Sequence, residues 1–437
     1  MNIDRDNFST QFPLFKEKLQ FASFVSFDEE MTGIWPVDPT KRNAKTDDAH
    51  GRFAKMTTVS SRFCIMQLGL CIFTQKNETE YEVSPYNFLI FPSGQNAEII
   101  MSASTVDFHR KNNLDFQKWI YKGLPFVDAN GQIALEKKYN IGESNATATT
   151  SEGAPATRTP LILTKLSDIE YLERNVKELR KMMDQPSDGP NSETGVNEYV
   201  FESSNAFLRR AVYEYLEIHC PSSHYIISKT PEQNIKVKKV SAIVKEDYDN
   251  FVRAENNSKF ESEMGFRLVF NELVRSKKPI VGHNCTFDLM FLLHWLDRPL
   301  SPDLDVFKER LHTLFPLVFD TKYIASSGVL NGQVFEDTVL ESLYRQMKAY
   351  LLLSSGNNSS DRETAAELTT TGDSASSTST SGKRKLGESS GLAFSFAPDS
   401  PGYATGGDGL VTVSGAGDGG AGGAVASKPQ FHDAGMS

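Results

Sequence analysis

Seventy-six consecutive residues, Ser354 to Pro429, cannot supply a packed core, and this decides how the rest of the chain has to be read. Forty-eight of them are Gly, Ala, Ser or Thr. Their few large apolar side chains are scattered and aperiodic, so burial cannot offset the entropy of ordering the segment. We read 354–429 as a disordered insertion. Lys383-Arg384-Lys385 inside it reads as a solvated charge cluster or as a nuclear import signal. Any folded unit must be drawn from residues 1–353 and 430–437.

At 437 residues there is room for two or three domains. The composition, 39% hydrophobic and 23% charged, suits a soluble globular chain with some disordered sequence. No run of 18 apolar residues occurs, which argues against a membrane span. The longest apolar-looking stretch, Pro279 to Leu296, is broken by His283, Asn284, Asp288 and His294. The start, Met1-Asn2-Ile3-Asp4-Arg5-Asp6, lacks the pattern of a secretory signal. Cys64, Cys71, Cys220 and Cys285 form no C-x-x-C pair and no disulfide framework, so a reducing intracellular location, nucleus or cytoplasm, is expected. The formal net charge is −10. A chain this acidic does not hold nucleic acid by bulk charge. It needs a local basic patch, or metal ions held by carboxylates.

Strand patterns stand at Phe21–Phe27, Arg62–Phe73 and Tyr86–Phe91, with Gly33, Gly69 and Pro92 as punctuation. One helix is expected over Ser104–Lys122. Pro279-Ile280-Val281-Gly282 is a short buried strand. It is followed by a helix over Asn284–Leu296, a strand at Leu317–Phe319 closed by Asp320, and a helix over Asp337–Leu353. Antiparallel-type strands followed by alternating helix and strand describe a mixed α/β sheet with helices packed on it. Gly142–Pro160 and Asp184–Asn197 read as loops or linkers. Between them Ser167-Asp168-Ile169-Glu170 has the form of a capping box. Ala206–Lys245 carries seven Lys/Arg against three Glu, with Tyr213, Tyr215 and Tyr225 interleaved. We read that region as a small inserted domain.

Three groups of residues could carry chemistry. Asp28 and Glu30 lie two apart at a strand end and project to the same face, with Glu29 opposite. Two such carboxylates repel unless a cation lies between them, and their oxygens suit Mg²⁺ or Mn²⁺. The alternative is a pair of solvent-facing acids. Asp288 follows Asn284 by one helical turn and is surrounded by Phe287, Leu289, Met290 and Phe291. An acid in that setting requires a charge partner. Asn284 is expected to be the helix N-cap. The third group, Phe431-His432-Asp433-Ala434-Gly435, resumes structured-looking sequence after the insertion.

In this order these pieces resemble the DEDD exonucleases of the ribonuclease H-like fold, and more narrowly the poly(A)-specific ribonuclease (PARN) family of deadenylases. The likeness is carried by Asn7-Phe8 and Phe24-Val25-Ser26-Phe27-Asp28-Glu29-Glu30-Met31-Thr32-Gly33-Ile34. Further carriers are Gln67–Phe73, Asn87–Pro92, Val106-Asp107-Phe108 and Val281-Gly282-His283-Asn284. Asp288, Pro302-Asp303-Leu304, Phe307-Lys308, Phe319-Asp320-Thr321-Lys322 and His432-Asp433-Ala434-Gly435 complete them. The resemblance implies an α/β, ribonuclease H-like mixed sheet with flanking helices, split by a small α+β insert and a disordered loop. It implies a nuclease domain in parts, 1–160, 265–353 and the start of a final motif at 430–437, with a putative nucleic-acid-binding insert at 161–264. The implied activity is 3′-to-5′ removal of AMP from poly(A) by two-metal hydrolysis, with two Mg²⁺ (or Mn²⁺) ions.

The resemblance further assigns Asp28, Glu30 and Asp288 as metal ligands and His432 as the group that activates water. Met31, Ile34, Val106, Phe108 and Lys322 would contact the terminal nucleotides, with ordinary core packing as the alternative for the four apolar residues. The implied partner is an RNA 3′ end, with RNA contact or homodimerisation as the role of the basic insert and a solvated charged face as the alternative. The family's fourth acid lies five residues after the histidine, where this chain has Ser437. The expectation is therefore a chain that stops within its last catalytic motif. The alternatives are an impaired RNA-binding or regulatory homologue that keeps the fold, and a DNA 3′ exonuclease.

Overall fold

A computed structural model describes residues 1–142, 161–184, 198–328 and 335–355, except for 37, 39–41, 45, 79, 94–97, 203–204, 221–222 and 336, with backbone only at 351–355. The expected disordered insertion, its basic cluster, His432 and Ser437 lie outside the described residues. The first part of the chain runs β1 (Asn2–Ile3), α1 (Phe8–Gln20), β2 (Phe24–Met31), α2 (Ala49–Ser60), β3 (Ile65–Gln75), β4 (Tyr81–Leu89), α3 (Ala103–Lys111), α4 (Phe116–Lys122) and α5 (Ala129–Tyr139). Next come α6 (Leu166–Met183), β5 (Glu198–Phe201), α7 (Ala206–His219), β6 (Tyr225–Lys229), β7 (Ile235–Lys239) and α8 (Ala242–Met264). The last part holds α9 (Phe266–Ser276), β8 (Ile280–Gly282), α10 (Thr286–Leu296), α11 (Leu304–Leu314), β9 (Val318–Asp320), α12 (Thr321–Ser327) and α13 (Leu340–Ser355).

Six strands form one sheet in the order β1-β4-β3-β2-β8-β9. β2, β3 and β4 are antiparallel neighbours, while β8 pairs parallel with β2 and β9 parallel with β8. This is the mixed α/β sheet that the sequence led us to expect. The parallel pairing follows from the crossovers: α10 and α11 separate β8 from β9, and a helical connection permits parallel strands. β2 alternates between half-buried or exposed Phe24, Ser26, Asp28 and Glu30 and buried Val25, Phe27, Glu29 and Met31. Its acids thus lie within the last half of the strand, on alternating faces, as the sequence suggested. Phe15, Phe53, Phe88, Phe266, Phe270 and Phe291 fill the core around this sheet. Burying each contributes roughly 1.5–3 kcal/mol. The Trp295 indole N–H, on α10, donates to the carbonyls of Ser60 and Phe63 at 3.1 and 2.8 Å, which fixes α10 against the end of α2.

Three strands form a second sheet, ordered β5-β7-β6, with α6 and α7 against it. Its own core holds Leu179, Phe201, Val212, Leu216, Ile235 and Val237. All four cysteines are free. Among the described residues no helix is long and apolar enough to cross a membrane.

Three local expectations are corrected. The single helix expected over 104–122 is two, α3 and α4. Asn113 takes a left-handed φ of 60°, and the Asp115 carboxylate accepts from the Lys118 N–H at 2.8 Å to start the second. Ser167 does not cap α6, which begins at Leu166 behind Lys165 with no side-chain cap. Asn284 is not the N-cap of α10. It sits at φ 59°, a conformation asparagine tolerates, and a carboxylate from another strand satisfies the turn instead.

Candidate active site

The site is built where β2, β8 and β9 end. Gly282 closes β8, and a Cβ there would lie 2.3 Å from that of Cys285, so only glycine permits this turn. Asp320, the last residue of β9, answers the turn's backbone. Its carboxylate accepts from the N–H groups of Asn284 (2.9 Å), Cys285 (3.0 Å) and Lys322 (2.9 Å). One acid therefore caps α12 and organises the entry to α10. Burial and the adjacent Asp320 carboxylate push the Cys285 thiol well above its ordinary range, which leaves it a small inert core group. His283 is spent on structure. It bonds Thr321 Oγ1 at 2.9 Å, and its Nε2 donates to the Thr338 carbonyl at 3.0 Å.

That turn delivers Asp288 in the first turn of α10. Burial, with the Asp28 carboxylate next in importance and Asp320 and Glu30 behind it, pushes the Asp288 carboxyl up to about 7. Asp28, Glu30 and Asp288 are thus gathered at one end of the sheet. Asp28 is exposed and Glu30 half-buried. Burial raises the Glu30 carboxyl, and Asp28 adds to the rise, against the opposing pull of His109. Glu29 is 6% exposed, and neither of its oxygens has a hydrogen-bond partner. Burial pushes its carboxyl well up, with Asp288 and then Asp28 adding to the effect.

His109 enters from α3. Its Nδ1 lies 3.5 Å from Glu30 Oε2, and its Nε2 donates to the Met31 carbonyl at 2.9 Å. The Ser102 N–H donates to the Thr32 carbonyl at 2.9 Å, so α3 is fastened to the end of β2 at two points. Phe108, in edge contact with the His109 ring, is 55% exposed, and Ile34 and Trp35 are 38% and 45% exposed. Val106 and Lys322 are half-buried. Met31 departs from expectation. It is 6% exposed and packed in the core, because it falls on the inward face of β2, and it offers no surface to a base.

For divalent cations the donor set fits. These are hard oxygen ligands, burial and the Asp28 carboxylate raise the Asp288 carboxyl, and two buried Glu29 oxygens beside them in sequence have no donor. The three expected ligands do not approach one another as closely as the exposed trio His50, Asp303 and Asp305, whose ligand atoms lie within 4.8 Å. That trio is already occupied. Asp303 accepts from the Asp305 and Val306 N–H groups, and Asp305 pairs with Lys308 at 3.0 Å. Sequence reasoning missed Glu29, His109 and Asp320 as parts of this site. The Asp-Thr-Lys run directly after a strand was a cap signal for Asp320. Nothing local marked His109, whose neighbour Glu30 lies 79 positions earlier.

A family model for CAF1 family ribonucleases matches residues 3–436. The chain is 27% identical over 365 residues to the poly(A)-specific ribonuclease PARN of Danio rerio, covering 80% of this chain and 53% of that protein. It is 27% identical over 351 residues to the pre-piRNA 3′-exonuclease trimmer of Bombyx mori, covering 79% of this chain and 62% of that one. Among solved structures it is similar to that of S. pombe Pop2p in its Mg²⁺- and Mn²⁺-bound form, at 12% identity and a TM-score of 0.36, over 80% of this chain and 81% of the other. The chain spans about half the length of the PARN proteins it matches. A family match that runs across nearly the whole sequence is decisive: the chain belongs to the CAF1 family of ribonucleases.

Proposed function

We propose that this chain is a Mg²⁺- or Mn²⁺-dependent 3′-to-5′ exoribonuclease that removes AMP from poly(A). One observation carries the proposal. Asp28, Glu30 and Asp288 are gathered at one sheet end, with burial and mutual repulsion holding the Asp288 carboxyl up to about 7. Such an arrangement is costly unless cations are bound there. Asp28, Glu30 and Asp288 would hold two divalent ions. When bound, these would stabilise the entering and leaving oxygens at a phosphodiester.

The chain's own residues do the remainder. β2 and α10 present the carboxylates from rigid elements, and the buried base of α10 keeps Asp288 in place. Phe108, which packs against His109, and Ile34 are both exposed and suit stacking on the last bases. Val106 and Lys322 would complete the contact with the terminal nucleotides. His432 would take the proton from the attacking water, a role that rests on the resemblance. Residues 161–264 would form a unit inserted into the nuclease domain.

The test is release of AMP from oligo(A) labelled at its 3′-terminal nucleotide. Release with Mg²⁺, none in EDTA, and none from Asp28→Ala is the expected result. Oligo(A) binding without release would instead identify a regulatory RNA-binding protein. Equal release from oligo(dA) would identify a general 3′ exonuclease, and release undiminished in EDTA would overturn the metal-dependent reading.

A further inference from the structure

Glu29 is the residue that the two-ion reading leaves without a task. It lies on the inward face of β2 with Val25, Phe27 and Met31. Those three pack in the core, and a fourth apolar residue would serve the fold better than an acid. Glu29 is 6% exposed, and both its oxygens lack hydrogen-bond partners. Folded proteins leave few buried polar groups in that condition, because each carries its full desolvation cost. The charges that bear on it are Asp288 and Asp28, both of its own sign. An irregularity in the β2–β3 register falls between Glu30 and Met31, just beyond it, and such irregularities re-aim neighbouring side chains.

We propose that Glu29 is a further carboxylate of the cation site, reaching from the core side of β2 toward Asp288 to take a divalent ion between them. This rests on the two-ion reading above. The site would then be supplied from both faces of one strand: Asp28 and Glu30 from the open face, Glu29 from the buried face, with Asp288 at the end. A cation there resolves at once the two orphan oxygens and the repulsion within the group. It also accounts for an acid at a position where β2 otherwise places core residues.

The experiment is Mn²⁺ binding to the full 437-residue chain near neutral pH, read from the loss of the free-ion electron paramagnetic resonance signal. Wild type, Glu29→Gln, Glu29→Met and Asp28→Asn are compared, with melting in EDTA as the check that each is folded. Glu29→Gln should weaken Mn²⁺ binding by ~10–100-fold and should melt higher than wild type in EDTA. Glu29→Met, which matches the side chain in length without its charge, should show the same loss, so the inference stands on either variant that folds. If both bind Mn²⁺ within about twofold of wild type while Asp28→Asn does not, Glu29 is a neutral buried acid and the inference fails, though the reading of Asp28 survives. If wild type takes up no Mn²⁺, or Asp28→Asn binds as wild type does, the two-ion reading fails and the role of Glu29 with it.

Discussion

The acidic end of the large sheet and the lysine-bearing small sheet carry opposite charges, and they differ most in how those charges are answered. At the large sheet, burial raises the carboxyls of Glu29, Glu30 and Asp288, the Asp28 carboxylate adds to each rise, and the His109 ring lies 3.5 Å from Glu30. In the small unit the basic residues are largely matched. Glu198 pairs with Lys236 and, at 3.5 Å, with Lys238. Arg210 pairs with Glu214 at 2.9 Å, Lys245 with Asp249, and Lys239 donates to the Met183 carbonyl at 2.6 Å. The interleaved tyrosines belong to that unit's core, not to a stacking surface: Tyr225 is buried, and Tyr213 and Tyr215 pack against the same cluster. A count of charges along the sequence favoured the basic segment as the nucleic-acid contact. The pairing pattern moves attention to the acidic end, where charge is left unanswered.

The strongest way to break this contrast is to remove one uncompensated acid. Asp28→Ala should lower the Mg²⁺-dependent release of AMP from oligo(A) by on the order of 10³-fold, comparable with the loss of a major electrostatic group in other active sites. Circular dichroism should be unchanged, because Asp28 is exposed and supports no packing. A loss below about tenfold, worth only ~1.4 kcal/mol, would mean that Asp28 is one of many surface acids.

Next in size is Phe108→Ala. The side chain projects from α3 with 55% of its surface exposed, and α3 is held by His109 and Ser102, so truncation should not disturb the site. Loss of one stacked base is worth ~1–3 kcal/mol, so KM for oligo(A) should rise by roughly 5–150-fold. kcat should fall less. An unchanged KM would detach this aromatic surface from substrate binding.

Removing the repulsion without removing the side chain gives a smaller effect on stability. In EDTA, Asp288→Asn should melt about 2–4 °C above wild type at pH 8, as expected for ~1 kcal/mol in a domain of this size. The sign follows from linkage. The folded carboxyl is raised to about 7 from its ordinary value near 3.8, so wild type carries the cost of the charge above pH 7. That cost is relieved as pH falls through 7, and the gap to the asparagine variant should close toward pH 4. Saturating Mg²⁺ should reverse the order, raising the melting temperature of wild type and not of Asp288→Asn. If the gap in EDTA is independent of pH, Asp288 is not the group that stores the repulsion.

How much of this could be read in the sequence depended on distance along the chain. The Asp28–Glu30 spacing and the alternation of β2 are set by two-residue periodicity, and both hold in the strand. Asp288 stood out because its neighbours are apolar, and α10 does bury Leu289, Met290 and Phe291 around it. What could not be read were answers to those charges from elsewhere. The Glu198 pairing with Lys238 spans 40 residues and depends on strand register. His109 meets Glu30 only because α3 docks on β2. Glu29 was assigned to the opposite face by alternation, which is correct, but periodicity does not show that the face is buried and its carboxylate left without a donor. Met31 was carried over as a nucleotide contact from the motif, where alternation already assigned it to the inward face with Glu29.

The smallest effect is expected at the lysines, and it sharpens the comparison from the other side. A lysine that contacts a single-stranded phosphate contributes ~0.7 to the slope of log K against log salt. Lys236→Gln with Lys238→Gln would therefore lower that slope by ~1.4 if both side chains served RNA. Both instead meet Glu198 across β5 and β7, in exposed or half-exposed pairs worth ~0.2–1 kcal/mol each. Taking both away leaves Glu198 uncompensated, so local stability should fall slightly. Affinity for oligo(A) at moderate salt should change by less than about twofold, a few tenths of a kcal/mol. Measured by fluorescence anisotropy across a salt series in EDTA, the slope should stay within ~0.7 of wild type. A fall of the full ~1.4 would show that these lysines leave Glu198 for phosphate when RNA arrives. The small unit would then be a nucleic-acid contact that its resting ion pairs conceal.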